Sequence, residues 1–265
     1  MSWLYDAVSS VSDAVSSAVG TVTDTVHSTV TAAGRAVGGL KYTRPLDDRE
    51  LTRLLAACAA NVYQHSGAEG GPSKYLGNNL ECIKRASCGS GLDRKGLDYV
   101  SYAVYRVKGG RHAGATILAY EGTNSYTHGL QDLIGVAFAR FGPIASVACN
   151  IFNSVRPTYI TGHSLGGCIA EVVCSRSGCA GASFNAPGPW SPNPATCIAD
   201  GDRYDGARFE IHLANGDPVS CMCNPGAGGA DHGHIGSKDN GALVWHYNCG
   251  GQHSIDVMVR AINSW

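Results

Sequence analysis

Two kinds of hydrophobic pattern divide this chain. From Leu4 to Val37 the apolar positions are Leu4, Val8, Val11, Val15, Val19, Val22, Val26, Val30, Ala33 and Val37, and their steps of four and three sum to an eleven-residue repeat. Eleven residues in three turns is about 3.67 per turn, so the stripe runs nearly straight along an α-helix. The opposite face is mainly Ser, Thr, Gly and Ala with few charges (Asp6, Asp13, Asp24 and Arg35). Valine, threonine, serine and glycine are modest or poor helix formers. The pattern therefore predicts an amphipathic helical arm over residues 1–39 that is marginal in water and gains from an apolar surface.

Past Gly38-Gly39, and a linker over 40–47 marked by Pro45, the periodicity changes. Leu51, Leu54, Leu55, Cys58 and Val62 share one face of a helix reaching about His65, with Asp47 and Glu50 spaced as its capping box. Strand-like runs follow at Ala115–Tyr120, Thr158–Thr161 and Arg208–Leu213, and helix-like runs at Cys168–Val173 and from His253 to Ile262. This alternation predicts one α/β domain over 48–265, long enough for a single core. Residues 66–97, rich in Gly, Ser and Lys, read as a long loop.

The run Thr158-Tyr159-Ile160-Thr161-Gly162-His163-Ser164-Leu165-Gly166-Gly167 carries the chemistry. A strand, a serine with glycine two residues to either side, and then a helix is the pattern of a nucleophile elbow. With 35 glycines in the chain the letters alone are weak, and the strand and helix in register make the signal specific. Such a serine needs a base, an acid and an oxyanion donor. Asp217 follows a strand and precedes Pro218, a place from which a carboxylate orients an imidazole. His253 opens a helix-like run, and His232, His234 and His246 lie in the same stretch, with His246 the second choice as base. Upstream, the strand ending at Tyr120 leads to Glu121-Gly122-Thr123, where Thr123 offers an amide and a hydroxyl.

These islands, in this order, resemble the class 3 lipases, the fungal triacylglycerol lipase type of α/β-hydrolase. The matching residues are Glu121-Gly122-Thr123, Asp132-Leu133, Gly162 to Gly167, Phe184-Asn185-Ala186-Pro187, Asp217-Pro218-Val219 and His253-Ser254. Glu121 departs from the family's usual arginine. The resemblance implies an α/β-hydrolase fold with a mostly parallel central sheet flanked by helices. It implies Ser164 as nucleophile, His253 as general base and Asp217 as its orienting acid, with the amides of Leu165 and Thr123 forming the oxyanion hole. It also puts a lid in the apolar segment 124–143, and it requires no cofactor.

A net charge of −1 argues against a nucleic-acid partner. The arm resembles the eleven-residue repeats of proteins that coat lipid droplets and curved membranes. Its shortage of Lys and Arg points to packing defects rather than anionic headgroups. A right-handed coiled coil, a helix docked on its own domain and a disordered arm are the competing readings. No stretch approaches the ~20 apolar residues of a membrane span, and no secretory signal is recognised. The expected location is therefore cytoplasmic, peripheral at a membrane or lipid-droplet surface. The eleven cysteines are then read as mostly reduced and buried. Cys221, Cys223, His232, His234 and Cys249 form no standard zinc spacing, so no metal is expected. The sequence supports a serine carboxylic-ester hydrolase acting on acylglycerols or phospholipids. An acyltransferase or thioesterase on the same triad, or a non-catalytic lipid-surface protein with a degenerate hydrolase domain, are the alternatives.

Overall fold

Seven strands line up in one sheet in the order in which the chain makes them. The structure is a computed structural model that describes residues 45–65, 75, 77–88, 100–122, 141–189, 208–219, 234–235, 243–250 and 253–265. The arm over 1–39, most of the lid segment and Thr123 fall outside these residues. Helix α1 spans Arg49–Asn61, and a 3-10 turn, Val62–His65, extends it. Strands β1 (Leu80–Cys88), β2 (Val100–Val107) and β3 (Thr116–Tyr120) are antiparallel neighbours. Then come α2 (Phe141–Val155), β4 (Tyr159–His163), α3 (Leu165–Ser177), β5 (Gly181–Phe184), β6 (Phe209–Ala214), β7 (Leu243–His246), a 3-10 turn at Tyr247–Cys249, and α4 (Ile255–Asn263). From β3 to β7 every pairing is parallel, and the whole is an α/β-hydrolase-like fold with a mostly parallel sheet.

The sequential order dictates where the helices go. Parallel crossovers are right-handed, so connections that always advance one strand in the same direction lie on the same face. Helices α2 and α3 pack there, against Tyr102, Val104, Leu118, Tyr120 and Ile160. The other face has to be covered by segments outside the crossovers. Helix α1, before the sheet, and α4, after it, do this against Ala103, Tyr105, Ile117, Ala119 and Phe184. With both faces covered, β5 and β6 are buried at every position, the mark of an interior parallel strand.

Two expectations need correction. Residues 66–97 are not one loop, because β1 occupies Leu80–Cys88. As an edge strand it leaves Glu81, Lys84 and Cys88 exposed, so its apolar alternation is weak. A register shift between Cys82 and Lys84 disrupts that alternation further. The cap of α1 is also one residue later than expected. Asp48, in extended conformation, accepts the Leu51 amide at 3.0 Å, while Asp47 takes a positive φ of 53°. Glu50 does not close a capping box; its Oε1 accepts the Arg111 amide at 3.2 Å.

Candidate active site

The site lies at the carboxyl ends of the parallel strands, and its centre is strained backbone. Ser164, between β4 and α3, has φ 58° and ψ −129°, a conformation that costs a non-glycine residue on the order of 1–3 kcal/mol. The tight turn brings Gly162 against the Gly166 carbonyl, and Gly166 against the carbonyl of Tyr120 at the end of β3. A Cβ at either glycine would collide with backbone that has no room to yield. The glycines expected from the motif are thus a packing requirement between two strands and a helix. The strain is held by a hydrogen bond from the Ser164 amide to the Phe184 carbonyl (3.0 Å), and by α3 starting from the Ser164 carbonyl, which accepts the Cys168 amide (3.1 Å).

Strand β6 leads to Asp217. After Ala214 the chain turns through Asn215 and Gly216, whose φ of 80° suits glycine. The Asp217 amide donates to the Ala214 carbonyl at 3.1 Å. Asp217 is fully buried, and its Oδ1 accepts the Val219 amide at 3.0 Å. Asn185, at the end of β5, steadies the same corner: its Oδ1 accepts the Ala214 amide at 2.8 Å.

His253 stands just ahead of α4 and joins the two. Its Nδ1 lies 2.9 and 3.1 Å from the Asp217 carboxylate oxygens, and its Nε2 lies 2.8 Å from Ser164 Oγ. A carboxylate only accepts, so Nδ1 donates to Asp217, and the tautomer with its proton there turns the Nε2 lone pair towards the hydroxyl. Ser164, His253 and Asp217 are therefore one hydrogen-bonded chain. Leu165 opens α3, where a first-turn amide has no partner within the helix; Thr123 lies outside the described residues. Glu121, at the position of the usual arginine, is buried, and its amide donates to the Ser101 carbonyl at 2.9 Å.

His246 and His234, the described alternatives to His253 as base, lie elsewhere. His246 Nε2 is 3.0 Å from His212 Nδ1, and its ring stacks on Trp265, so it is not near Ser164 as the alternative base would be. His234 is buried against Glu171, at 2.9 Å. His232, Cys221 and Cys223 lie outside the described residues. Among the described residues no cluster has the arrangement of a metal site, and Cys58, Cys168, Cys174 and Cys249 are buried.

Two further residues stand beside this hydrogen-bonded chain. His163 stacks on His253, with ring centroids 4.7 Å apart and 30° between planes. Tyr63, just after α1, places its hydroxyl 3.0 Å from His163 Nδ1. A polar His163 inside the otherwise apolar strand end was a readable signal, whereas nothing local marks Tyr63.

A family model for the Tle-like phospholipase domain, described as phospholipase-like, matches residues 54–228. No curated protein matches the chain significantly. The matched segment contains the elbow and Asp217, while His253 lies beyond it.

Proposed function

Given that the chain belongs to this phospholipase-like family, and so to the lipid ester hydrolases, we propose that it is a serine-dependent carboxylic-ester hydrolase. Its substrates are acylglycerols or phospholipids, and Ser164, His253 and Asp217 act as its triad. The observation that carries the proposal is the 2.8 Å contact between His253 Nε2 and a serine hydroxyl held at positive φ.

The chemistry follows from that wiring. Ser164 Oγ attacks the acyl carbonyl as its proton passes to His253 Nε2, and the carbonyl π electrons move onto oxygen. Asp217 stabilises the resulting imidazolium without taking the proton. The amides of Leu165 and Thr123 receive the oxyanion, each contributing on the order of 3 kcal/mol to lowering the barrier. The C–O bond to the alcohol then breaks, and the departing oxygen takes the proton from Nε2. Water, deprotonated by the same nitrogen, attacks the acyl-enzyme and releases the fatty acid, restoring Ser164.

The islands shared with class 3 lipases support that subtype and its acyl-enzyme mechanism. The N-terminal repeat supports an interfacial substrate reached through residues 1–39. Hydrolysis of triacylglycerol and phosphatidylcholine emulsions tests both points. Ser164→Ala should abolish activity on either lipid. A chain starting at Lys41 should lose activity on emulsions yet turn over a soluble short-chain ester almost normally. Equal losses on both substrates would make the arm structural, and an active Ser164→Ala would overturn the triad.

A further inference from the structure

The geometry points to Tyr63 as a positioning residue that joins the oxyanion strand to the nucleophile elbow and sets the ring against which His253 lies. The inference rests on the triad proposed above.

Among the described residues the Tyr63 hydroxyl joins three groups. It accepts the amide of Gly122 at 3.2 Å, it donates to the carbonyl of His163 at 3.1 Å, and it lies 3.0 Å from His163 Nδ1. A phenol has one proton to give and room to accept. With that proton on the His163 carbonyl, the contact to Nδ1 is satisfied only when Nδ1 is the protonated nitrogen and donates to the phenol oxygen. That tautomer leaves Nε2 of His163 as a bare lone pair. Nε2 is buried without a partner among the described residues, and an orphaned acceptor is tolerated better than an orphaned N–H.

Each contact bears on a different part of the site. Gly122 directly precedes Thr123, the expected oxyanion donor from β3, and His163 directly precedes Ser164. One hydroxyl thus fixes the spacing between the loop carrying one oxyanion amide and the elbow carrying the other. The packing leaves no slack: a Cβ on Gly122 would meet the Tyr63 hydroxyl, would lie 2.7 Å from the His163 carbonyl oxygen and would come 3.2 Å from Ser164 Cβ. The third contact orients the His163 ring, which stacks on His253 and limits how that imidazole can tilt away from Ser164. Burial, and then the neighbouring His253, hold His163 far below the ordinary histidine range. It therefore stays neutral and does not compete for the proton that His253 takes from the serine.

Tyr63→Phe removes the hydroxyl and keeps the ring. We expect kcat on a soluble p-nitrophenyl ester to fall by about 10- to 100-fold, the scale of a small misplacement of reacting groups, with KM within about twofold of wild type. An alkyl boronic acid, which adds to Ser164 Oγ and presents a tetrahedral oxyanion, should lose affinity by a similar factor. The thermal midpoint should stay within a few degrees. His163→Phe, which keeps a stacking ring but loses Nδ1, should lower kcat in the same direction. Wild-type kcat and boronate affinity in Tyr63→Phe would overturn the inference. So would a loss of kcat accompanied by a large drop in thermal midpoint and an equal rise in KM. Ser164→Ala, assayed in parallel, separates the two levels. If it is inactive while Tyr63→Phe is normal, only the positioning role fails; if it is active, the triad itself fails.

Discussion

Among the described residues two clusters are built from a serine, a histidine and a carboxylate, and they are wired in opposite orders. At the sheet's carboxyl end the order is Asp217, His253, Ser164, with the imidazole between acid and hydroxyl. Under α3 the order is His234, Glu171, Ser183, with the carboxylate in the middle. Ser183 Oγ donates to Glu171 Oε1 at 2.8 Å, His234 Nδ1 donates at 2.9 Å, and the Ile235 amide donates to Oε2 at 3.1 Å. A serine that already donates to a carboxylate has no neutral base to take its proton during attack. All three residues of the second cluster are also fully buried, whereas His253 in the first is partly exposed. Composition makes a triad no more than possible; order and access decide whether it can do chemistry. The second cluster instead fastens His234 and Ile235 to α3, the helix that follows Ser164.

The sharpest way to break this contrast is to delete each serine hydroxyl. Ser164→Ala should lower kcat by about a millionfold, because the members of a triad act as a unit. Ser183→Ala should leave ester hydrolysis within a few-fold of wild type and cost ~1 kcal/mol in urea unfolding. Comparable activity losses would mean that the clusters are not functionally distinct. The acids come next. Asp217→Asn should reduce kcat by about 10⁴-fold while preserving stability, since it favours the wrong imidazole tautomer. Glu171→Gln should destabilise by about 1–3 kcal/mol, because an amide cannot accept all three donors. Its turnover per fluorophosphonate-titrated site should be almost unchanged. The opposite assignment of the two losses would reverse the comparison.

A third buried group sets the smallest effect. Glu210 accepts the Leu46 amide at 2.8 Å and the Thr52 hydroxyl at 2.9 Å, and it lies 3.1 Å from His212, which contacts His246 in turn. Burial, and then His212, push His246 down from the ordinary 6.5 to about 4. A histidine whose folded pKa is depressed favours the neutral form in the native state. Its contribution is complete above the unfolded value and is lost as pH falls from about 6.5 towards about 4. The urea midpoint should therefore decline across that window, and His246→Gln should flatten part of the decline. An unchanged slope would show that other groups govern the acid limb.

What could be read in advance was whatever neighbouring residues decide among themselves. The elbow was legible because Gly162 and Gly166 are required by contacts within a few residues and one adjacent strand. Helix α1 was legible from the spacing of Leu51, Leu55, Cys58 and Val62, all of them buried. Strand β1 was not, since an edge strand with one wet face carries little apolar signal. The exact cap was missed because Asp47 and Asp48 are chemically alike, and only the backbone chooses between them. Residue type alone did not sort the ten histidines; the helix-like run after His253 and the family resemblance favoured it over His246. His253 faces Ser164 across 89 residues, His234 reaches Glu171 across 63 and Tyr63 meets His163 across 100. Local sterics and periodicity determined the elbow and the elements beside it. Which imidazole, which acid and which phenol converge on Ser164 was decided by how α1, β6 and α4 pack around the sheet. Contacts at such separations arise only when the whole core closes, so no window of sequence contains them.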